Sequence, residues 1–385
     1  MFKRGIPLAW LQLSRERSRL LVAIAGISFA DFLMFMQLGF QAALYDSTTL
    51  LHKSLEADVI IMSPQAQSIS SMGSFPRRRL TQATSVEGVS SAEALYVDRA
   101  NWKNPETRQE TEVMFIGFNT SKPIFKLPEI KDNLAKIKLT DSVLFDRGSE
   151  GDYEKVLAEL EQGKVLTTEV GKRRIRIEGL FTLGASFSAD ANAVTSDLTF
   201  WRLFPNQSVS EVNVGLVKLK PGANAQSTVK QLQRLLPNDV KVLTLDDFIT
   251  FETNYWATTT PIGFIFTLGT AIGFIVGLVI VYQILYSDVS DHLAEYATLK
   301  AMGFRDNYFL VVVLQEAIIL AAFGFVPGLG ISLGLYHVAK EATMLPIIMT
   351  ANRAYLVFIL TGIMCTLSGA IALRKLRQAD PAEIF

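Results

Sequence analysis

The side chains that could do chemistry in this sequence are few, and several sit where water is scarce. Asp31 falls inside the apolar stretch Leu20–Leu44, and Gln315 and Glu316 fall inside Phe309–Tyr336. An ionisable group in a long apolar helix costs free energy and usually faces a bundle interior or a wet cavity. Such a group serves coupling or transport, or it holds structure through a hydrogen bond. Residue type leaves both open for these three, and Glu316 lies near enough to one end of its stretch to be wet. The other reactive types do not assemble. His52, His292 and His337 lie in three separate segments. Cys365 is the single cysteine, which excludes an intrachain disulfide framework and a cysteine-cluster metal site. No G-x-x-x-x-G-K-[ST] or H-E-x-x-H pattern occurs, so no motif points to nucleotide hydrolysis or zinc proteolysis on this chain.

Four apolar stretches must position those groups: Leu20–Leu44, Ile262–Leu285, Phe309–Tyr336 and Tyr355–Leu373. Crossing about 30 Å of hydrocarbon takes about 20 apolar residues. The first stretch follows basic residues, as a secretory leader would. It is longer than a leader's roughly 7–15-residue core, and no clear small-residue cleavage site follows it. Hydrophobic residues make up 49 % of the 385, an ordinary share, so the four stretches reflect concentration rather than excess. Lys+Arg and Asp+Glu both number 37, for a formal net charge of +0. That balance argues against nucleic acid as a partner.

Short basic flanks set orientation. Lys3, Arg4, Arg15, Arg17 and Arg19 precede the first stretch, and Arg374, Lys375 and Arg377 follow the fourth. Both termini are therefore expected in the cytoplasm of a multi-pass inner-membrane protein. The expected order is a cytoplasmic segment 1–19, a span 20–44, a periplasmic domain 45–261 and a span 262–285. A cytoplasmic loop 286–308, a span 309–336, an outer loop 337–354, a span 355–373 and a tail 374–385 follow.

Within the domain, Glu211–Leu219 and Val240–Leu245 read as strands around a helix at Ala223–Leu236. A matching unit is expected near the start: a strand at Asp58–Ser63, a helix at Arg79–Val86, and strands at Val89–Asp98 and Glu112–Phe118. Two such units far apart in sequence predict a split ferredoxin-like α+β domain with a β-rich insertion at about 119–207. The insertion should hold strands at Val143–Phe145, Lys164–Glu169 and Arg173–Phe181, and a helix at Tyr153–Leu160. Gln65–Ser74 reads as a loop, and Arg77–Arg79 as a basic run on a solvated surface. Asp46–Leu55 and Leu243–Thr253 could extend the first two spans outward as a helical stalk.

Gly269, Gly273 and Gly277 stand four apart, which lets a second helix approach closely. That helix could belong to the same chain or to a second copy. Pro327, among Gly324, Gly328, Gly330 and Gly334, predicts a kink or break. Ser287–Met302 carries helix signals, with Val289, Leu293 and Tyr296 on one face and Gly303 as its stop. Its polar face is acidic, which favours a protein partner over a membrane surface.

The run Glu295-Tyr-Ala-Thr-Leu-Lys-Ala-Met-Gly303, with Gln315-Glu316 beyond it, resembles the coupling segment of the FtsX/MacB/LolC family of ABC permeases. The ending Leu373-Arg-Lys-Leu-Arg-Gln-Ala-Asp-Pro-Ala-Glu383 is similar too, as is the layout of one span, a large outer domain and three spans. Pro7-Leu-Ala-Trp-Leu-Gln-Leu13 and Phe29-Ala-Asp-Phe-Leu-Met-Phe-Met-Gln-Leu-Gly-Phe-Gln41 are similar to the DevC group of glycolipid exporters. The resemblance implies a non-catalytic, homodimeric permease that transmits motion to its periplasmic domain. It also implies two copies of a separate ATPase subunit carrying the ATP and Mg, with no cofactor on this chain. A periplasmic adaptor, a TolC-like outer-membrane channel and membrane lipid are the other implied partners. Glu295, Lys300 and Gly303 carry over as coupling residues. An FtsX-like regulator of a cell-wall hydrolase and a lipoprotein-releasing permease are the alternatives.

Overall fold

A computed structural model of the chain describes residue 15 and residues 17–184, 186–304, 306–343 and 345–378. The Pro7–Leu13 and Asp380–Glu383 parts of the resemblance lie outside the described residues. Two compact units emerge. One holds the chain through residue 43 with 261–342 and 347 onward; the other holds 44–260 with 343–346.

The chain enters through helix α1 (Arg17–Thr48) and a short α2 (Leu50–Ser54). The second unit then runs β1 (Val59–Met62), β2 (Phe75–Pro76), α3 (Arg78–Ala83), β3 (Val89–Lys103) and β4 (Glu110–Phe118). After α4 (Pro128–Asp132) and α5 (Leu134–Ile137) come β5 (Ser142–Asp146), α6 (Glu154–Glu161), β6 (Leu166–Val170), β7 (Arg173–Phe181), β8 (Ala191–Ser196) and α7 (Asp197–Leu203). The unit closes with β9 (Glu211–Val212), β10 (Val214–Leu219), α8 (Ala225–Leu235), β11 (Lys241–Thr244) and α9 (Leu245–Asn254), then a π-helical turn at Tyr255–Thr259.

Nine strands form one sheet in the order β11-β1-β10-β3-β4-β8-β5-β7-β6. The first four pair antiparallel, with Ile60 opposite both Leu216 and Leu243. Strand β1 is buried at all four positions because both faces of the sheet are covered. Alternation along a strand sends Val59 and Ile61 to one face and Ile60 and Met62 to the other. The first pair packs with Leu80 of α3 and Val229 and Leu232 of α8. The second packs with Leu51 of α2, Phe248 of α9 and the Ile69–Met72 loop. The far strands curl until Trp102 of β3 bridges Val170 of β6. Trp102 stacks on Phe145 at 4.5 Å and donates its indole N–H to the Tyr153 hydroxyl at 3.1 Å, which fills the interior of the curl.

Three details depart from the sequence expectation. Strand β8 and helix α7, capped by the Ser196 hydroxyl at 3.2 Å from Thr199 N, were not anticipated. The Gln65–Ser74 loop is not simply solvated, since Ile69 and Met72 are buried. Arg79 leaves the basic run and is buried against Asp239, donating through Nε at 3.0 Å and Nη2 at 2.6 Å.

In the first unit, α10 (Pro261–Asp291), α11 (Leu293–Ala301), α12 (Asp306–Thr343) and α13 (Ala351–Gln378) complete the chain. Helix α1, helix α10, Tyr308–Thr343 and Ala351–Leu373 are long and apolar enough to cross a membrane. Pro327 lies inside α12 without breaking it, which corrects the expectation of a break. A proline deletes one backbone donor, and a long helix packed on its neighbours survives that loss.

Two outcomes follow for the domain. Trp102→Ala should cost about 3–5 kcal/mol, as large-to-small changes of buried aromatics do; faster amide exchange in β5–β7 than in β1 would register it. The Arg79 hydrogen bonds hold the Asp239 carboxyl below its ordinary value. A depressed carboxyl stabilises the fold above its unfolded value, about 3.9, and that contribution is lost as pH falls through the lower folded value. Arg79→Gln should therefore lower stability at neutral pH and flatten its decline below about pH 4, measured by thermal melts of the full chain in detergent across pH.

Candidate functional site

The candidate site lies where α10 gives way to α11 and α12. Helix α11 has Glu295 in its first turn and Lys300 in its last, a charge order that suits the helix dipole. Its end is a glycine cap. Gly303 sits at φ +94°, its N–H donates to Lys300 O at 3.0 Å, and Phe304 N donates to Leu299 O at 3.2 Å. This pair of bonds is the Schellman pattern. An added Cβ at Gly303 would meet nothing within 4 Å, so the requirement there is the left-handed backbone and not space.

The face that carries Val289 and Tyr296 is turned inward. Both are buried with Phe309 and Val313 of α12 and Leu373 of α13, and Tyr296 meets Phe309 edge-on at 5.3 Å. Leu293 is half-buried against the same cluster. These three residues therefore anchor the loop to the helices. Periodicity identified the apolar stripe and could not say what covers it. Glu295 and Thr298 are exposed on α11, and Lys300 is half-exposed. Beside them stand two residues that periodicity missed, because they lie at and beyond the helix end. Met302 is 65 % exposed and Phe304 42 %, forming an apolar tip on a rigid turn.

A polar collar ties the base of the loop to α1. Arg19 reaches Asp288 at 3.4 Å and Asp291 at 2.5 Å, and Asp288 is itself buried.

The intramembrane polar groups separate. Gln315 is exposed, whereas Glu316 is fully buried and neither of its carboxyl oxygens has a hydrogen-bond partner among the described residues. Burial overturns the alternative that Glu316 is wet. Asp31 is also fully buried; Thr361 Oγ1 donates to its Oδ1 at 2.6 Å, and Oδ2 has no partner among the described residues. Gly328 of α12 passes so close that a Cβ there would lie 2.9 Å from the Asp31 Cβ.

The three glycines of α10 face neighbours in the same chain. Gly269 lies against Gln37, Gly273 against Leu33 and Met34, and Gly277 against Ala30 and Met364. The opposite side of α10 exposes Phe264, Leu268, Ile272, Ile275 and Val279, a surface suited to lipid. Among the described residues, no group of three or more His, Cys, Asp and Glu is placed to hold a metal ion. The arrangement is a short helix clamped to three long ones, with Glu295, Thr298, Met302 and Phe304 exposed.

No curated protein matches this chain in sequence. Among solved structures it is similar to the periplasmic region of MacB from Actinobacillus actinomycetemcomitans at 13 % identity, TM-score 0.35, covering 51 % of this chain and 92 % of that one. It is similar to the extracellular domain of the noncanonic ABC-type transporter YknZ from Gram-positive bacteria at 15 % identity, TM-score 0.33, covering 49 % and 100 %. A domain of a putative permease from Porphyromonas gingivalis gives 14 % identity, TM-score 0.30, and 50 % and 88 % coverage. Residues 267–381 match the family model described as FtsX-like permease C-terminal. That match spans the loop, its inward anchors and its exposed tip, and over this region the chain is similar to FtsX-like permeases.

Proposed function

We propose that this chain is the membrane-spanning permease subunit of an ABC exporter, driven by a separate ATPase subunit that docks on the α10–α12 loop. The family match over residues 267–381 carries this reading. The ATPase binds the ATP and Mg, and this chain contributes no cofactor. Two copies of the chain pair with two ATPase subunits. The basic residues ahead of the first apolar stretch, including Arg17 and Arg19 in the first turn of α1, support termini and a loop on the cytoplasmic side, with residues 44–260 in the periplasm. The strand order β11-β1-β10-β3, with α3 and α8 as crossovers, supports a split ferredoxin-like arrangement there.

The loop geometry suits transmission. Docking on Met302 and Phe304 applies force to α11, and the Val289 and Tyr296 anchors pass it to α12 and α13. The differential contacts come from the ATPase, which alone distinguishes nucleotide states. Work of this kind at the periplasmic domain fits a tripartite system with a periplasmic adaptor and a TolC-like channel. The Phe29–Gln41 similarity to DevC-type permeases favours a glycolipid or another hydrophobic cargo.

Co-expression with the candidate ATPase and adaptor, followed by purification from membranes, tests this reading. ATPase activity that requires the chain and responds to the adaptor is the expected result; a chain that purifies without any ATPase overturns it. Met302→Asp combined with Phe304→Asp should weaken ATPase binding by about 30-fold or more, the loss of apolar anchors worth about 2 kcal/mol. Glu295→Lys should weaken it less, with the difference shrinking as salt rises. Tyr296→Ala should leave binding in place and lower stimulation of hydrolysis, so an unchanged stimulation argues against the anchoring role.

A further inference from the structure

Within the 44–260 unit, the segments adjoining α1 and α10 are α2 and α9, and a buried carboxylate joins them. Glu252 of α9 is fully buried. Its Oε2 accepts from Ile69 N at 2.7 Å and lies 3.5 Å from His52 Nε2 of α2. Its Oε1 accepts from Trp256 Nε1, in the π-helical turn, at 3.0 Å. His52 in turn packs its ring on Phe248 of α9 at 4.4 Å. A leucine here would be cheaper to bury, since a buried carboxylate must recover its desolvation cost through hydrogen bonds. Glu252 recovers it by holding a loop, because Ile69 lies in the 63–74 segment between β1 and β2.

That segment is fastened at its other side to the β7–β8 loop. Ser70 Oγ donates to Ser188 O at 3.3 Å. The β7–β8 loop also touches α2 directly: a Cβ on Gly184 would lie 3.1 Å from Leu50 Cδ1, and Gly184 is at φ +113°. Its start is rigid because Asp146, fully buried, accepts from Leu183 N at 2.9 Å and from Gly184 N at 3.1 Å. One apolar core underlies all of these parts, uniting Leu51, Phe248, Ile69, Met72, Phe181 and Ala189.

We propose that Glu252 is a positioning residue that fastens the 66–72 segment to α9, so that displacement of α9 is relayed through Ser70 to the β7–β8 loop at the edge of the inserted strands. The relay is the output half of the transmission proposed above and rests on that reading for its driving force. Its wiring is tested without any partner.

The experiment is hydrogen–deuterium exchange on the full chain in lipid nanodiscs. In Glu252→Gln the amides of 66–72 should exchange about tenfold faster, the effect of losing one charge-assisted hydrogen bond. The relay requires the same variant to accelerate exchange at 186–190, with β1 and β10 unchanged. Ser70→Ala, which alters no core residue, should free 186–190 alone, and Glu252→Gln added to it should free 186–190 no further. Glutamine would oppose an amide N–H to the indole N–H, so Glu252→Gln with Trp256→Phe should regain part of the lost protection; a merely destabilised core would lose more. Acceleration confined to 66–72, or additive effects at 186–190, overturns the relay. Wild-type stimulation of the ATPase is measured alongside, so that absent stimulation with intact exchange coupling overturns the permease reading alone.

Discussion

The membrane unit depends on how closely α10 can approach α1. In lipid, helices gain little from excluding water, and association rests on van der Waals contact and on hydrogen bonds between helices. Gly269, Gly273 and Gly277 remove three side chains from the contact line, and Ala30, Leu33, Met34 and Gln37 fill the space. Helix α12 repeats the device, with Gly324 against Ile27 and Gly328 against Asp31. At this close range a hydroxyl can reach a neighbouring backbone, as Ser28 does in donating to Gly324 O at 2.8 Å. Tyr336 likewise donates to Phe35 O. The bundle is thus a tight inner contact with a loose, lipid-facing exterior.

Three buried carboxyl groups show what burial demands. Glu252, in the 44–260 unit, has both oxygens hydrogen-bonded. Among the described residues, Asp31 has one partnered oxygen and Glu316 has none. An unpartnered polar group in an apolar interior costs free energy that surrounding packing must offset. Glu252 is held by its partners, whereas Asp31 and Glu316 are held in spite of their surroundings.

How much of this was legible in sequence depended on whether the signal was local. Residues 59–62 stood out as a strand because a doubly covered strand is apolar throughout. Residues 173–181 stood out by alternation. Residues 191–196 are equally buried but are built of Ala, Asn, Val, Thr and Ser, with no apolar period, and their burial comes from strands 113–118 and 143–145 on either side. The stripe Val289, Leu293, Tyr296 was correctly seen as apolar. Its covering comes from Phe309, Val313 and Leu373, which no local pattern joins to it. The same limit hid Met302 and Phe304, whose exposure follows from the turn that Gly303 makes. Glu252 gave no signal at all, since one glutamate near a helix end is ordinary until a distant backbone N–H is placed beside it.

The bridge between Trp102 and Val170 has a consequence for how the sheet meets other molecules. Because Val170 at the end of β6 pairs with Trp102 of β3, the inserted strands do not end in a wholly open row of backbone donors and acceptors. At the other end, the outer strand β11 is four residues long and begins with Lys241. Short, charged edges are poor templates for strand addition. A nine-stranded sheet can therefore flex at its loops beside many copies of itself without inviting those copies to zip together.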